Sequence, residues 1–157
     1  MLTDTAALDL VARYRAGATL VDDALAGADD ASLDRRGPAA DDWCARQVVH
    51  HLADSETNSY IRLRRLLAEP APASIAGYDE AHWAQVLHYD RPIDASLALF
   101  HAVRAASSEL LDTLVDADLA ITGVHSDSGT YSLLDWLEIY ADHAEAHAAQ
   151  IRGARGV

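Results

Sequence analysis

The chain has 157 residues, half of them apolar and 6% aromatic, and sets 12 basic against 25 acidic residues for a formal net charge of −13. That length suits one domain, residues 1–157, with its own core, and abundant Ala and Leu with scarce Gly and Pro favour an all-α fold over a strand-rich one. The acidic surplus repels a phosphate backbone, and the basic residues, all arginine, form no stripe interleaved with aromatics, which excludes nucleic acid as a partner.

The start, Met1-Leu2-Thr3-Asp4-Thr5, has neither a basic nor an apolar leader region, and no run reaches the ~18 apolar residues of a membrane helix. A cytoplasmic location away from membranes is expected. The single cysteine, Cys44, forms no internal disulfide and reads as a small buried side chain near a helix start.

A first helix is predicted from about Thr5 to Ala26, ended by Gly27-Ala28-Asp29-Asp30. Beyond a loop with Gly37-Pro38, Asp41 and Asp42 stand as N-caps for a second helix from Trp43 to about Leu67, which stops ahead of Pro70 and Pro72. Tyr78 to His88 makes a short helix in the crossover. Pro92 is placed as the first residue of a third long helix reaching about Val115. A fourth starts near Ser132, after Asp127-Ser128-Gly129, and ends before Gly153. Segments of ~20 to 25 residues span ~30 to 37 Å, the proportions of a four-helix bundle whose long connection joins helices two and three.

Eight histidines are present, and helix geometry sorts them. At ~100° per residue, Trp136, Ile139, Tyr140, His147, Gln150 and Ile151 fall on the same side as His143, while Glu138, Glu145 and Arg152 fall opposite. His143 and His147 are therefore stacked one turn apart on the inward stripe, a spacing that lets two imidazoles converge on one ion. The run His143-Ala-Glu-Ala-His147 is not the zinc-protease HExxH, and Glu145 points away from the pair. Hydrogen-bonded core histidines are the plainer reading of such a pair. On helix two, His51 lies at the edge of the apolar arc Val48, Leu52, Leu63 and Leu66, with Asp54, Ser55, Asn58 and Arg62 along its own side. A buried edge so polar must be paired or used, and it reads as the wall of a site or as a structural hydrogen-bond network. His50 falls the other way, towards solvent.

The run Trp43 to Asn58, the crossover Tyr78-Asp-Glu-Ala-His-Trp83, the loop His125…Ser128-Gly129…Ser132-Leu133 and the helix Tyr140-Ala-Asp-His-Ala-Glu-Ala-His147 together resemble the DinB/YfiT-like superfamily. The likeness runs from about Trp43 to Ile151, with four segments in order, and is nearest the YfiT branch of metal-dependent hydrolases and bacillithiol transferases. The resemblance implies an up-down-down-up chain path and a homodimer, for which Trp83 offers an apolar contact. It also implies one divalent metal ion, zinc or nickel, on His51, His143 and His147, His51 being the histidine eight residues after Trp43.

Three protein ligands leave a fourth position for water or substrate, and an ion there lowers the pKa of a bound water or thiol. The resemblance favours transfer of a low-molecular-weight thiol, of mycothiol or bacillithiol type, to a small electrophilic substrate. Hydrolysis of small esters or amides is the alternative, and a metal-braced or ligand-sequestering protein without catalysis is the competing class. The lysine-free, Ala-, Asp- and Arg-rich composition fits a GC-rich genome and leans towards mycothiol. Asp54, Asn58 and Arg62 are candidates to orient ligands or bind a polar substrate, and His125 is either an acid/base group or a solvent-facing loop histidine. Arg104, within the apolar stripe of helix three, is expected in a core-side salt bridge, and His82, His88 and His101 at the surface.

Overall fold

Local capping chemistry sets the helix starts of the protein, whose computed structural model describes residues 1–36 and 42–157. Helix α1 (Thr5–Leu25) begins where the Asp4 carboxylate accepts from the Ala7 amide at 2.9 Å. A one-turn helix α2 (Asp30–Leu33) carries an Asp29/Ser32 capping box. The expected Gly37-Pro38 loop and the cap at Asp41 lie outside the described residues. Helix α3 (Ala45–Ala68) starts after Cys44, whose amide is capped by Gln47 Oε1 at 3.1 Å, so Asp42 stands ahead of the cap. Helix α4 (Glu80–Val86), capped by Asp79, is the short crossover helix. Helix α5 (Asp94–Leu111) begins after Ile93, one residue beyond Pro92, which therefore precedes the helix and is not its first residue. Helix α6 (Leu133–Arg155) opens with a Ser132/Asp135 capping box. It runs through Gly153, because the chain needs a left-handed C-cap and finds it at Gly156, φ +75.

The chain is mostly helical, as expected, and a small three-stranded sheet that the sequence did not reveal accompanies the helices. Strand β1 (Ala73–Ile75) pairs in parallel with β2 (Thr122–His125), which pairs antiparallel with β3 (Gly129–Ser132). The sheet stitches the α3–α4 crossover to the hairpin before α6, setting Ile75 opposite His125. Gly123 permits this approach, since a Cβ there would stand 2.6 Å from the Ala73 carbonyl oxygen.

The long helices form a four-helix bundle, and side-chain pairings fix their directions. Arg13 reaches Asp142 and Glu145 while Arg155 reaches Ala24 and Ala26, so α1 and α6 run the same way. His50 meets Ser96 and Glu56 meets Arg104, which makes α3 and α5 parallel. Trp136 donates to the Ser59 carbonyl while His143 faces His51, so α3 and α6 oppose each other.

Two apolar clusters fill the bundle. Tyr14, Leu63, Ile75, Leu111, Trp136 and Leu137 pack at the sheet end, and Val21, Val48, Leu52, Phe100, Ala148 and Ile151 at the other. A polar layer separates them. Arg104 Nη1 bonds Glu56 Oε2 at 2.6 Å, its Nε and Nη2 bond the Tyr14 and Tyr140 carbonyls, and Tyr14 donates its hydroxyl to the other Glu56 oxygen. This is the core-side ion pair expected of Arg104. Gly17 makes room for it, because a Cβ there would lie 2.7 Å from Arg104 Nη2 and 2.6 Å from the Ala144 Cβ. No described helix is long and apolar enough to cross a membrane.

Candidate metal centre

His51 from α3 and the i, i+4 pair His143 and His147 from α6 meet about a turn away from that polar layer. Ala141, Ala144 and Ala148 of α6 are all buried, and the Ala144 Cβ packs against Gly17 of α1. The His143 Nε2 atom lies 3.2 Å from His51 Nε2 and 3.2 Å from His147 Nε2. One ligand atom from each residue fits within a 4.8 Å spread. Trp43 packs edge-on against the His51 ring at 5.1 Å, and Gln150 Oε1 meets His147 Nδ1 at 2.7 Å, holding that ring's outer nitrogen.

The arrangement fits a divalent cation. Nitrogens held tetrahedrally at ~2.0–2.1 Å from one ion stand ~3.3 Å apart, close to the observed spacing. Without a cation the contact is frustrated, because His143 Nε2 offers one lone pair or one proton to two facing nitrogens. Burial holds all three imidazoles neutral, and His51 is pushed down to about 4, with His147 adding to the effect. Neutral imidazoles are the ligand form. His51 Nδ1 and His143 Nδ1 are buried without a hydrogen-bond partner among the described residues.

One cavity opens on the centre, and a second adjoins it through Arg62. The smaller, of about 200 Å³, opens on His143 and is walled by Ser55, Arg62, Tyr78, Glu80 and His125 among others. The larger, of about 290 Å³, is lined by Asp54, Asn58, Arg62, Arg65 and Trp83. Arg62 stands between them, its Nη1 donating to the Tyr140 hydroxyl and its Nη2 to the Ala76 carbonyl, each at 2.8 Å.

Of the residues singled out from sequence, Arg62 and His125 therefore share the chamber of His143. Asp54 and Asn58 face the neighbouring cavity, where Asp54 Oδ2 accepts from the Tyr89 hydroxyl at 2.5 Å and Asn58 Nδ2 back-bonds to the Asp54 carbonyl at 2.8 Å. His50 does not face solvent. It is fully buried, with Nδ1 against Ser96 Oγ at 2.7 Å and Nε2 against the Arg91 carbonyl at 3.0 Å, because the crossover and the start of α5 cover the outer side of α3. His82 and His88 are exposed, and His101 pairs with Asp22 at 2.9 Å. Tyr78 and Trp43 also border the centre or its chamber, and neither has a role legible from spacing or composition. Their only signal was an aromatic within each of two segments that carry the resemblance.

The family model of the DinB superfamily matches residues 13–151. A protein of Oceanobacillus iheyensis named "putative metal-dependent hydrolase" is 42% identical over 109 residues, covering 69% of this chain and 63% of that protein. One of the same name from Bacillus mycoides is 38% identical over 113 residues, covering 72% and 65%. The chain thus spans just under two thirds of the length of these curated relatives. The solved structure of YfiT from Bacillus subtilis, described as "a probable metal-dependent hydrolase with an unusual four-helix bundle topology", superposes with a TM-score of 0.88 at 29% identity, covering 98% of this chain and 88% of that one. The chain belongs to the DinB superfamily.

Proposed function

We propose that the protein is a metal-dependent enzyme in which His51, His143 and His147 hold one divalent cation, zinc or nickel, and that it transfers a low-molecular-weight thiol of mycothiol or bacillithiol type to a small electrophile. The observation that carries this reading is the convergence of three neutral imidazoles with no carboxylate joining them among the described residues. When bound, a dication on such a set stays strongly positive and lowers a thiol pKa from its ordinary value near ~8.5, making thiolate available at neutral pH. No protein base is then needed for that step. Glu145, the one acid between the two α6 histidines, is held outward by Arg13 and is not placed to act as a base on them.

The remaining work falls to the chain's own side chains. Burial keeps the imidazoles deprotonated, Gln150 fixes the His147 ring, and Trp43 backs His51. Arg62 and the Tyr78 hydroxyl supply hydrogen bonds to a substrate oxygen in the adjoining chamber, while Ile139 covers part of its wall. The pairwise helix directions support the up-down-down-up path, and exposed Val86 and Leu87 beside Trp83 supply apolar area for the proposed homodimer.

Hydrolysis of a small ester or amide is the second reading, supported by the names of the relatives and by His125. The Asp127 amide donates to His125 Nδ1 at 3.2 Å, which leaves the proton on Nε2, where His125 can donate a hydrogen bond to a substrate oxygen across the chamber. The test offers thiols with a chlorinated aromatic electrophile, and separately an ester panel, to metal-loaded and chelated protein. Metal-dependent conjugation supports thiol transfer, and metal-dependent ester turnover alone replaces it with hydrolysis. Silence in both panels leaves a non-catalytic metal-braced or ligand-binding protein.

A further inference from the structure

The chamber beside His143 has two chemically different walls. From α3 and α6 come hydrogen-bond donors, Ser55, Arg62 and Tyr140. From the start of α4 and the residues before it, and from the β2–β3 hairpin, come Tyr78, Glu80, His125 and Asp127. The Tyr78 ring lies tilted against Trp83 at 4.5 Å, and its hydroxyl is buried beside Ser55 without a hydrogen bond of normal geometry among the described residues. A buried hydroxyl left so is a group awaiting an acceptor. Asp127 is brought in over bare backbone. A Cβ on Gly77 would stand 1.9 Å from Asp127 Oδ2, while Asp127 Oδ1 is already bonded by the Ser126 hydroxyl at 2.9 Å.

We propose that this chamber binds a small amino-acyl compound, whose carbonyl oxygen accepts from Tyr78 and Arg62 and whose ammonium group lies against Glu80 and Asp127. The volume of about 200 Å³ matches an amino-acid-sized body, since it holds roughly six or seven waters at ~30 Å³ each. A free carboxylate is disfavoured because one guanidinium faces two acidic side chains. A simple cation offers the Tyr78 hydroxyl no acceptor. Only a ligand with an acceptor at one end and a positive donor at the other satisfies both walls. The proposal rests on reading the three histidines as a reaction centre, to which this compound is delivered.

Metal-free, isotope-labelled full-length protein is titrated with glycinamide, acetamide and acetate while the Gly77 amide and Trp83 indole resonances are followed. Glycinamide should saturate both shifts at a concentration about fivefold below acetamide, and acetate should give no saturable shift. Tyr78→Phe should weaken both amides about fivefold, and Glu80→Gln should shrink the advantage of glycinamide while leaving acetamide unchanged. Acetate binding as well as glycinamide, an unaltered Tyr78→Phe titration, or no saturable shift from any probe overturns the proposal. No metal and no turnover enter this measurement, so its failure is separable from failure of the reaction assigned above. Loss of metal-dependent turnover, in turn, leaves these titrations standing.

Discussion

His50 and His51 are neighbours on one helix, both buried, and they differ in a way that separates structure from function. Each ring nitrogen of His50 has its own partner, Ser96 or Arg91, so the residue closes its own account within the fold. His51 has an unpartnered Nδ1 and an Nε2 aimed at another imidazole. The same contrast recurs in the core. The Arg104–Glu56 pair is completed by Tyr14 and two backbone carbonyls, whereas the histidine cluster one step away leaves its nitrogens facing each other. In both pairs the member that the fold satisfies is structural, and the member left facing other imidazoles is the one open to a ligand.

The largest expected effect lies on the closed side. Arg104→Met leaves the Glu56 carboxylate buried and uncompensated and should cost about 3–5 kcal/mol in denaturant unfolding, with Glu56→Leu added to it recovering most of the loss. A cost below about 1 kcal/mol would break the comparison, since the network would then contribute no more than a surface pair.

On the open side the expected effect depends on pH. In metal-free protein the folded His51 takes up a proton only near pH 4, whereas an unfolded histidine does so near 6.5. Between those values the unfolded state binds more protons, so stability present above 6.5 falls as pH drops, by roughly 3 kcal/mol at pH 4 from His51 alone. His143 and His147 shift in the same direction and add to the slope. Unfolding curves of chelated protein between pH 7 and about 4 read this, and a flat profile contradicts it. A metal-loaded sample should be flatter above the pH at which it releases its ion.

His50→Ala should then cost about 1–3 kcal/mol, because it strands Ser96 and the Arg91 carbonyl. His51→Ala should cost the metal-free protein less, although both remove the same ring. The smallest effect serves as a baseline. Ser132→Ala should lose about 1 kcal/mol of cap energy at the start of α6 with no change in the centre.

The sequence showed the long helices well because their apolar positions recur at helical spacing, and it showed the His143–His147 pair because four residues is one turn. The strands were not legible, since β1 has three residues and β2 and β3 four each, too short for an alternation to register. His50 was misplaced for a related reason. A helical wheel treats the side away from the apolar arc as solvent, but Tyr89, Arg91 and Ser96 fold over it from a connection whose path no local pattern encodes. The same tertiary information separates Arg62, which reaches both cavities, from Asp54 and Asn58, which lie on the same helix yet face only the larger one.

Metal content of untagged protein, measured by elemental analysis after equilibration with zinc or nickel and removal of free ion, tests the central claim most directly. The account predicts one ion per chain in the wild type and in His50→Ala, and none above background in His51→Ala, His143→Ala or His147→Ala. Equal loss from His50→Ala and His51→Ala, or retention of a full equivalent by all three site variants, would contradict it.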